Sequence, residues 1–364
     1  MITNIGPHYR LPIYKALSEK FRCDFYLGDN MKLPIKKFDY KELPYYQATL
    51  KNRFFKCFYW QSGSVRLAFK HYSTYILDGE PYCLSSWMIL LLCKLLGKET
   101  IAWTHGWYGR EGIVKRIIKK AFYSLHTKLL IYSDYAISLM EKEGFDKSKL
   151  FCIANSMDSD YELELRKSLQ QTGIYKQHFC NNCPVVIYCG RIQKWKKLDM
   201  ILDSIKQLKD GGQCVNVIFI GKDVEGVDLG GIAKEKGIAD QVWLYGPCYN
   251  DKQLGEFFFN ADVCVSPGNV GLTAIHSLSF GCPVITHDDF AYQNPEFESI
   301  IPHKTGDFFK KDNLQDMTRK IKEWTSLNAE QKENVRKNAF KEIDDKWNIH
   351  YQLNILNTVL NGNK

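Results

Sequence analysis

A long uninterrupted apolar run is missing from this sequence. The longest apolar stretch, SSWMILLLCKLL at residues 85–96, contains Lys94 and falls short of the roughly 20 residues that span a bilayer, so no transmembrane segment is expected. The opening residues, MITNIGPHYR, lack a positively charged segment followed by an apolar one, so no secretory signal is expected either. These absences favour a cytoplasmic protein, either free or held at the inner face of the cytoplasmic membrane.

Cysteine pairs with a recognisable spacing are few. Only Cys180 and Cys183, in CNNC, have the spacing of a redox or half-zinc motif, and no second pair or histidine pattern completes it. The twelve cysteines are otherwise scattered, which favours reduced thiols over a disulfide framework. We therefore interpret the CNNC pair as incidental thiols in a linker.

Two classes of motif are absent as well. No G-x-G-x-x-G follows a strand with an acidic residue about twenty positions on, which argues against an NAD-dependent oxidoreductase. No recognised nucleic-acid-binding motif is present, so we expect no nucleic-acid partner. Asp158 and Asp160, in MDSD, imitate a metal-binding pair but lie away from the basic residues described below, and we expect no metal.

Excess positive charge is confined to one half of the chain. Residues 1–180 hold 27 Lys and Arg against 17 Asp and Glu, a net of +10, whereas residues 181–364 hold 22 against 24, a net of −2. The asymmetry indicates that the first half meets an anionic partner, such as a membrane surface or a phosphate-bearing substrate. A basic face that meets only water is the alternative.

What is present is a regular alternation of strands and helices, typical of parallel sheets covered by helices. With 364 residues and 45% hydrophobic content, the chain can form two domains of ordinary size. In the first half we predict strands at 23–28, 75–79, 100–105 and 128–133 and a helix at 85–96. In the second half we predict strands at 184–191, 215–221, 241–246, 261–267 and 283–287, helices at 198–209, 230–236 and 251–260, and a helical segment at 328–360.

The polar, non-periodic segment QTGIYKQHFCNNCP interrupts this alternation and is the best candidate for a domain boundary. We predict a first Rossmann-like domain at 1–170, a linker at 171–184, a second Rossmann-like domain at 185–340, and a C-terminal helix at 341–364 that packs back on the first. Two tandem doubly wound α/β domains would leave an interdomain cleft at the carboxyl ends of their sheets, where ligands bind. Only five residues precede Gly6, so we expect the opening strand to be incomplete.

Basic residues and a glycine turn follow two strands of the second half. In YCGRIQKWKKLD, Arg191 comes just after a strand and Lys196 lies in the next turn, and both suit diphosphate oxygens. In SPGNVGLTAIHSLSFG, a strand end leads to a helix start whose N–H groups at Gly271, Leu272 and Thr273 would face an anion. Together these groups would neutralise a departing nucleoside diphosphate; basic residues on an ordinary surface turn are the alternative.

Six short motifs occur in the order and at the intervals of a known family: GRIQKWKKLD, FIGKD, LYGP, NADVCVSP, VGLTAIHSLSFGCPVIT and PEFE. They resemble the C-terminal domain of retaining GT-B glycosyltransferases of family 4 over roughly residues 185–309, with a weaker match through HGW and IANSMD in the first half. The resemblance implies that the second domain binds a nucleotide sugar, through Arg191, Lys196 and the helix start at Gly271. The first domain would then bind the acceptor.

The chain also departs from the family pattern. The family's two glutamates, separated by seven residues, fall here on Gly268 and His276, so both carboxylates are missing. His276 could still bond a ribose hydroxyl, or it could simply fill a helix face against the sheet. Glu296 and Glu298, in QNPEFES, could supply a carboxylate from the next loop. The remaining residues that we place on the donor side are Asn269, Gly221 and Pro247.

Residues of the first half complete the predicted site. His105, in WTHGWYGRE, directly follows a strand, and by resemblance it faces the donor sugar and the acceptor. Trp107 is a candidate sugar platform. The first strand-to-helix turn would present His8 and Arg10 to the acceptor, and Asn155, in IANSMD, resembles the Asn of the family's loop after the last strand of that domain.

The segment IVKRIIKKAFY, residues 113–123, predicts a basic amphipathic helix. Such a helix can lie on an anionic membrane surface, or it can pack its apolar stripe on the sheet with its basic side in water. The sequence leaves both open. The predicted stripe is Ile113, Val114, Ile117, Ile118, Ala121 and Phe122, and the predicted basic side is Lys115, Arg116, Lys119 and Lys120.

The resemblance implies the chemistry as well. The acceptor hydroxyl would attack on the front face with the leaving phosphate oxygen as base, configuration would be retained, and no metal or other cofactor would be needed. His105, Arg191 and Lys196 would stabilise the reacting centre and the leaving diphosphate. We expect a hexosyltransferase of surface polysaccharide biosynthesis, such as capsule or O-antigen, acting on a lipid-linked or oligosaccharide acceptor. A catalytically inactive GT-B partner that still binds nucleotide is the alternative.

Overall fold

The computed structural model describes residues 1–32 and 35–362. The chain divides into two compact units, one made of Met1–Asp158 with Ile349–Lys364 and the other of Ser159–Asn348. Among the described residues, every helix falls short of the length and apolar character that crossing a bilayer requires.

The first unit is an eight-stranded sheet with helices on its faces. Its strands are β1 Ile2–Thr3, β2 Phe25–Gly28, β3 Tyr46–Phe55, β4 Phe58–Ser62, β5 Thr74–Asp78, β6 Glu99–Thr104, β7 Lys128–Ile131 and β8 Leu150–Cys152. Its helices are α1 Leu11–Phe21, α2 Leu84–Leu95, α3 Ile113–Ser124, α4 Asp134–Lys142 and, at the end of the chain, α13 Ile349–Asn361. The strand order is β4-β3-β2-β1-β5-β6-β7-β8, and all neighbours are parallel except the hairpin β3–β4. The central strands are near-continuous apolar runs because helices cover both of their faces.

The second unit is a six-stranded parallel sheet. Its strands are β9 Val185–Cys189, β10 Asn216–Ile220, β11 Val242–Gly246, β12 Val263–Ser266, β13 Val284–His287 and β14 Gly306–Phe309. Its helices are α5 Ser159–Ser168, α6 Ile174–Phe179, α7 Asp199–Asp210, α8 Leu229–Glu235, α9 Asp251–Asn260, α10 Leu272–Ser279, α11 Leu314–Thr325 and α12 Ala329–Asp345. The order β11-β10-β9-β12-β13-β14 reverses direction between β9 and β12. That reversal fixes where a ligand site can form.

The segment 171–184 is not a free linker. It contains α6, whose Tyr175 is buried and donates its hydroxyl to the Phe257 carbonyl at 2.7 Å. Cys183 is joined to Cys214 in a disulfide bond with Cα atoms 5.6 Å apart, so the expectation of an incidental free thiol at Cys183 is wrong. Aromatic and covalent contacts therefore fix the segment to the second unit.

The predicted helical segment at 328–360 is two helices. They are α12 and α13, and the helical structure is interrupted between them near Asn348. The Asn348 Nδ2 donates to the Ile343 carbonyl at 2.9 Å. The second helix belongs to the first unit. There its Gln352 accepts the Ser156 hydroxyl at 2.7 Å and donates to the Ala154 carbonyl at 3.1 Å.

Candidate active site

Two loops of the second unit meet at the carboxyl edge of its sheet, where strand order reverses. The loop after β9 carries Arg191 and the turn Lys194–Lys196, and the loop after β12 spans residues 267–271. The Gly268 N–H donates to the Lys196 carbonyl at 3.0 Å, so a hydrogen bond joins the two loops. Open α/β sheets bind ligands at such switch points. The structure therefore brings the predicted basic residues next to the predicted helix start.

The Lys196 ammonium lies over the second of these loops. Its Nζ donates to the Asn269 backbone carbonyl at 2.7 Å and to Asn269 Oδ1 at 2.8 Å, and it lies 4.3 Å from the centre of the Trp195 ring. Burial, together with the charge of Arg191, lowers the pKa of Lys196 to about 8. Its bonded oxygens in the described structure are amides, so an anionic ligand here would compensate its charge and raise that pKa.

Gly268 has no room for a side chain. A Cβ atom at this position would lie 2.9 Å from both the Lys196 Cα and the Trp195 carbonyl oxygen. Both neighbours are backbone atoms of the Lys194–Lys196 turn, so they cannot rotate away as the end of a flexible side chain can. The close approach of the two loops therefore depends on the absence of a side chain at this position.

A third loop anchors the turn that carries Lys196. Glu225, which follows β10, accepts the Lys194 N–H at 2.8 Å and Gln193 Nε2 at 3.1 Å. Asp223 in turn accepts the Glu225 N–H at 3.0 Å. Sequence reasoning missed Glu225 because the turn that it holds is 31 residues away along the chain.

The start of α10 is tied to the end of β9. The Thr273 hydroxyl donates to the Cys189 carbonyl at 3.0 Å, which places the first turn of α10 against the loop that carries Arg191. Backbone N–H groups of a first helical turn have no intrahelical acceptor and favour anions. Gly271, Leu272 and Thr273 thus lie where the sequence predicted them, although the Thr273 side chain serves the fold.

Gln293 fixes the loop before α10, and sequence reasoning missed it. Its buried amide accepts the Val270 N–H at 2.8 Å and donates to Thr286 Oγ1 and the His287 carbonyl, each at 2.9 Å. Three bonds from one side chain hold the loop against the end of β13. A lone glutamine in a polar stretch gives no signal of this role in the sequence.

A cavity of about 550 Å³ opens at the carboxyl ends of β10 and β11. Gly221 and Pro247, both predicted on the donor side, line it together with Ile192 and Leu229. A Cβ atom at Gly221 would lie 1.8 Å from the Gly190 carbonyl oxygen, so only glycine fits there. The volume falls within the roughly 300–1,000 Å³ typical of small-molecule sites.

His276 is enclosed in the second unit. Its ring lies between those of Phe258 and Phe280, at centroid distances of 5.4 and 5.3 Å, and its Nε2 is 3.6 Å from Glu162 Oε1. Glu162 Oε2 accepts the Ser279 hydroxyl at 2.7 Å, which fixes the carboxylate. Burial lowers the pKa of His276 to about 4, so the imidazole is neutral at physiological pH. Of the two roles left open by the sequence, this geometry favours filling a helix face over binding ribose.

The two glutamates of QNPEFES lie in different surroundings. Glu298 Oε2 is 3.7 Å from Lys346 Nζ, so this carboxylate is held in an ion pair. Glu296 is buried in the turn Pro295–Ser299, which packs on α10. Glu296 therefore remains a prediction for the carboxylate that replaces the one missing at Gly268. Glu298 is set aside because its carboxylate is paired with Lys346.

In the first unit, His105 follows β6 as predicted. Its ring stacks on Tyr108 at 6.1 Å between centroids and lies 4.8 Å from the Tyr132 ring. The surrounding protein, with the charges of Arg10 and Lys119, lowers the pKa of His105 to about 4, although the residue as a whole is exposed. A neutral, partly accessible imidazole can donate to or accept from a sugar hydroxyl.

Two predicted acceptor residues are buried instead. Arg10 donates to the Tyr132 hydroxyl, and its guanidinium lies 5.1 Å from the Trp103 ring centre. Trp107 is 3% exposed and packs on Phe145, so it cannot serve as an open sugar platform. Both predictions are corrected by long-range packing that a loop motif does not reveal.

The other two acceptor-side predictions differ in exposure. His8 is exposed in the turn His8–Arg10, whose start is fixed by a bond from the His8 N–H to the Lys36 carbonyl at 3.0 Å. Asn155 is buried, and its Oδ1 accepts the Ser156 N–H at 3.0 Å.

Sequence reasoning passed over two carboxylates at the end of β5. Asp78 is the last residue of this strand and pairs with Trp103 of the neighbouring β6. His105 follows the end of β6 directly, and Glu80 lies two residues after Asp78. Asp78 accepts the Asn4 N–H, and burial raises its pKa to about 7. Burial also raises the pKa of Glu80. Strand-end carboxylates in LDGEP were the available signal.

Comparisons with known proteins concern the family and the fold. Residues 171–342 match the family model of glycosyl transferases group 1. HepE of Anabaena, solved in complex with UDP, matches with a TM-score of 0.74 and 13% identity over 99% of this chain and 98% of that one. A glycosyltransferase from Rickettsia africae matches with a TM-score of 0.73 and 14% identity over 100% and 99%. The lipopolysaccharide outer core galactosyltransferase WaaB matches with a TM-score of 0.71 and 15% identity over 99% of each chain.

The structural likeness shows that the protein has the GT-B fold, an α/β architecture with two Rossmann-like units. The match to the glycosyl transferases group 1 model covers most of the second unit. No curated protein matched the chain by sequence.

Proposed function

We propose that this protein is a retaining glycosyltransferase of family 4, which moves a hexosyl group from a nucleoside-diphosphate sugar to an acceptor hydroxyl. The observation that carries the proposal is the pair of cations at the switch point of the second unit. Lys196 is hydrogen-bonded to Asn269 in the loop before α10, and Arg191 is near enough for its charge to lower the pKa of Lys196. The oxygens that Lys196 contacts belong to amides, and Gly268 has no side chain, so none of these residues supplies a carboxylate. Cations and N–H groups arranged beforehand stabilise a leaving diphosphate.

The donor occupies the second unit in this proposal. The diphosphate contacts Lys196, Arg191 and the N–H groups of the α10 start, and the nucleoside fills the 550 Å³ cavity beside Gly221. Asn269, which already binds the Lys196 ammonium, is next to the donor sugar. Because HepE was solved with UDP and UDP-glucose, UDP-sugars are the first donors to test.

The acceptor side belongs to the first unit. His105, Asp78 and Glu80 lie at the carboxyl edge of its sheet and can bond the hydroxyls of a sugar. The leaving phosphate oxygen takes the acceptor proton, and no metal is needed because the cations already balance the diphosphate. We propose a lipid-linked or oligosaccharide acceptor in surface polysaccharide synthesis.

A nucleotide panel tests the donor proposal directly. Thermal stabilisation by UDP, GDP, CMP and TDP is measured with EDTA and with Mg²⁺, and a ligand near a hundred times its Kd contributes roughly 2.7 kcal/mol. Lys196→Met should abolish the shift, whereas the matched variant Lys194→Met, on the exposed part of the same turn, should keep it. A shift that survives Lys196→Met would refute the proposed phosphate contact.

Turnover and stereochemistry are separate tests. Release of the nucleoside diphosphate from the recognised donor should need an added acceptor, and NMR of the product should give the donor's anomeric configuration. His105→Gln should lower the rate without weakening nucleotide binding, because this imidazole belongs to the acceptor side.

An inactive nucleotide-binding partner remains the second candidate, because the tight packing at Gly268 excludes one family carboxylate. Nucleotide binding without turnover of any donor would support it.

A further inference from the structure

Helix α2 presents an apolar stripe to the outside of the first unit. Leu84, Met88, Leu91 and Leu95, spaced one helical turn apart, are 42–84% exposed. The opposite face of α2 supplies buried residues to the core, such as Ile89. An amphipathic helix on a water-facing surface normally shows polar residues outward. The exposure of this apolar stripe therefore indicates a surface that contacts something other than water.

Helix α3 adds a second group of exposed apolar residues. Ile113, Val114 and Ile117 are 64–78% exposed, so the alternative in which this stripe packs on the sheet is wrong for the first turns of the helix. The reason is Lys119, which is buried and donates to Glu111 Oε1 at 2.6 Å. This inward lysine sets the rotation of α3 and turns the isoleucines outward.

The two helices lie side by side. The strands β5, β6 and β7 are adjacent and parallel, and right-handed crossovers place both connecting helices on the same side of the sheet. The rings of Trp87 on α2 and Phe122 on α3 are 5.1 Å apart between centroids. We call the combined surface the apolar face; its residues are Leu84, Met88, Leu91, Leu95, Ile113, Val114 and Ile117.

The charged side chains of these two helices are all basic. Helix α3 carries four basic residues and no acidic one, and α2 carries only Lys94. Lys115 and Lys120 are exposed on α3. The nearby acidic groups are engaged: Glu111 with Lys119, and Glu143 with Arg116 at 2.6 Å. Glu80 also lies near enough to Lys115 to interact with its charge.

We propose that the apolar face seats the first unit on an anionic lipid surface. Exposed isoleucine and leucine side chains enter the boundary between headgroups and acyl chains, while Lys115 and Lys120 meet lipid phosphates. A second copy of the chain is a poorer occupant, because two positively charged faces would repel each other. The inference is independent of the donor chemistry proposed above.

The test is sedimentation of the full chain with vesicles. Vesicles of phosphatidylglycerol mixed with phosphatidylethanolamine are compared with vesicles of phosphatidylcholine, at low and high NaCl. We expect binding to the anionic vesicles that weakens as salt screens the charges. Ile113→Ser/Ile117→Ser and Leu91→Ser/Leu95→Ser should each lower the partition coefficient roughly tenfold or more, because each removes two inserting aliphatic side chains.

Matched variants keep the test decisive. Val224→Ser removes an apolar side chain of the second unit that is 46% exposed, about as exposed as Leu91, and should bind lipid as the parent does. Unchanged melting temperature and nucleotide binding show that each variant is folded. The proposal is overturned if the parent does not bind anionic vesicles, or if Ile113→Ser/Ile117→Ser binds them as well as Val224→Ser does. It is also overturned if lipid binding is absent and light scattering finds a dimer that Ile113→Ser/Ile117→Ser abolishes.

Discussion

The packing at Gly268 makes a quantitative prediction about what a side chain there would do. In Gly268→Ala the new methyl group would lie 2.9 Å from two backbone atoms of the Lys194–Lys196 turn, so the turn must move. Such overpacking costs about 1–3 kcal/mol. At roughly 2–4 °C per kcal/mol for a domain of this size, the melting temperature of the second unit should fall by roughly 2–12 °C.

Displacing the turn should also weaken nucleotide binding. The Lys196 ammonium is positioned by its bonds to Asn269, and a charge-assisted hydrogen bond contributes about 1.5–3 kcal/mol. The Kd for the preferred nucleoside diphosphate, measured by calorimetry, should therefore rise roughly tenfold or more in Gly268→Ala. Gly173→Ala is the matched control, because its Cβ would meet only Gln177 Nε2 at 3.8 Å.

The decisive comparison is Gly268→Glu, which restores the family's residue. We expect lower stability and weaker nucleotide binding than in the parent. A Gly268→Glu protein that melts at the parent's temperature and binds the nucleotide more tightly would show that the loops can separate easily, and the reasoning from close packing would be refuted.

Three further predictions concern the same unit. The pKa of Lys196 is lowered to about 8 in the folded protein, so between pH 8 and about 10.4 the unfolded chain binds more protons than the folded one. The charged Lys196 therefore lowers the free energy of unfolding at neutral pH. This destabilisation disappears as the pH rises from 8 to about 10.4. The melting-temperature difference between Lys196→Met and the parent should thus shrink over that window, while the parent's affinity for the nucleotide falls. Gln293→Leu leaves the Val270 N–H without its acceptor and should cost about 1–3 kcal/mol in a denaturant titration, with weaker nucleotide binding. His276→Ala should lower stability by about 2–4 kcal/mol through the cavity that it leaves and should not change nucleotide affinity; a large loss of affinity would restore the ribose role.

The parallel cores could be predicted because helices cover both faces of their strands. Runs such as YILD and VVIYC are apolar without alternation, which fixes them as buried strands and fixes where their carboxyl ends lie. Arg191 and Lys196 follow one such end and Gly271 follows another, so both groups were expected at the carboxyl edge of one sheet. That β9 and β12 are neighbours is seen only in the structure. The hairpin of β3 and β4 was missed because polar and apolar residues do not follow its alternating burial. Asn52 and Gln61 are buried, whereas Phe55 and Trp60 are exposed.

The roles that the sequence could not reveal depend on partners distant in the chain. Trp107 and Arg10 follow strand ends just as His105 does, yet neighbouring aromatic rings enclose them. His276 acquires its setting from Glu162, which lies 114 positions earlier. No local pattern encodes such pairings.

The return of α13 to the first unit has a consequence for the order in which the protein folds during synthesis. Its buried Leu356 and Val359 belong to the core between the sheet and α1, but they emerge from the ribosome only after the whole of Ser159–Asn348. The continuous second unit can therefore mature while the first still exposes part of its core. A premature stop after Asn348 would remove α13 and so destabilise the first unit, although that unit is synthesised first, and would leave the second unit complete. Chain order alone suggests the reverse.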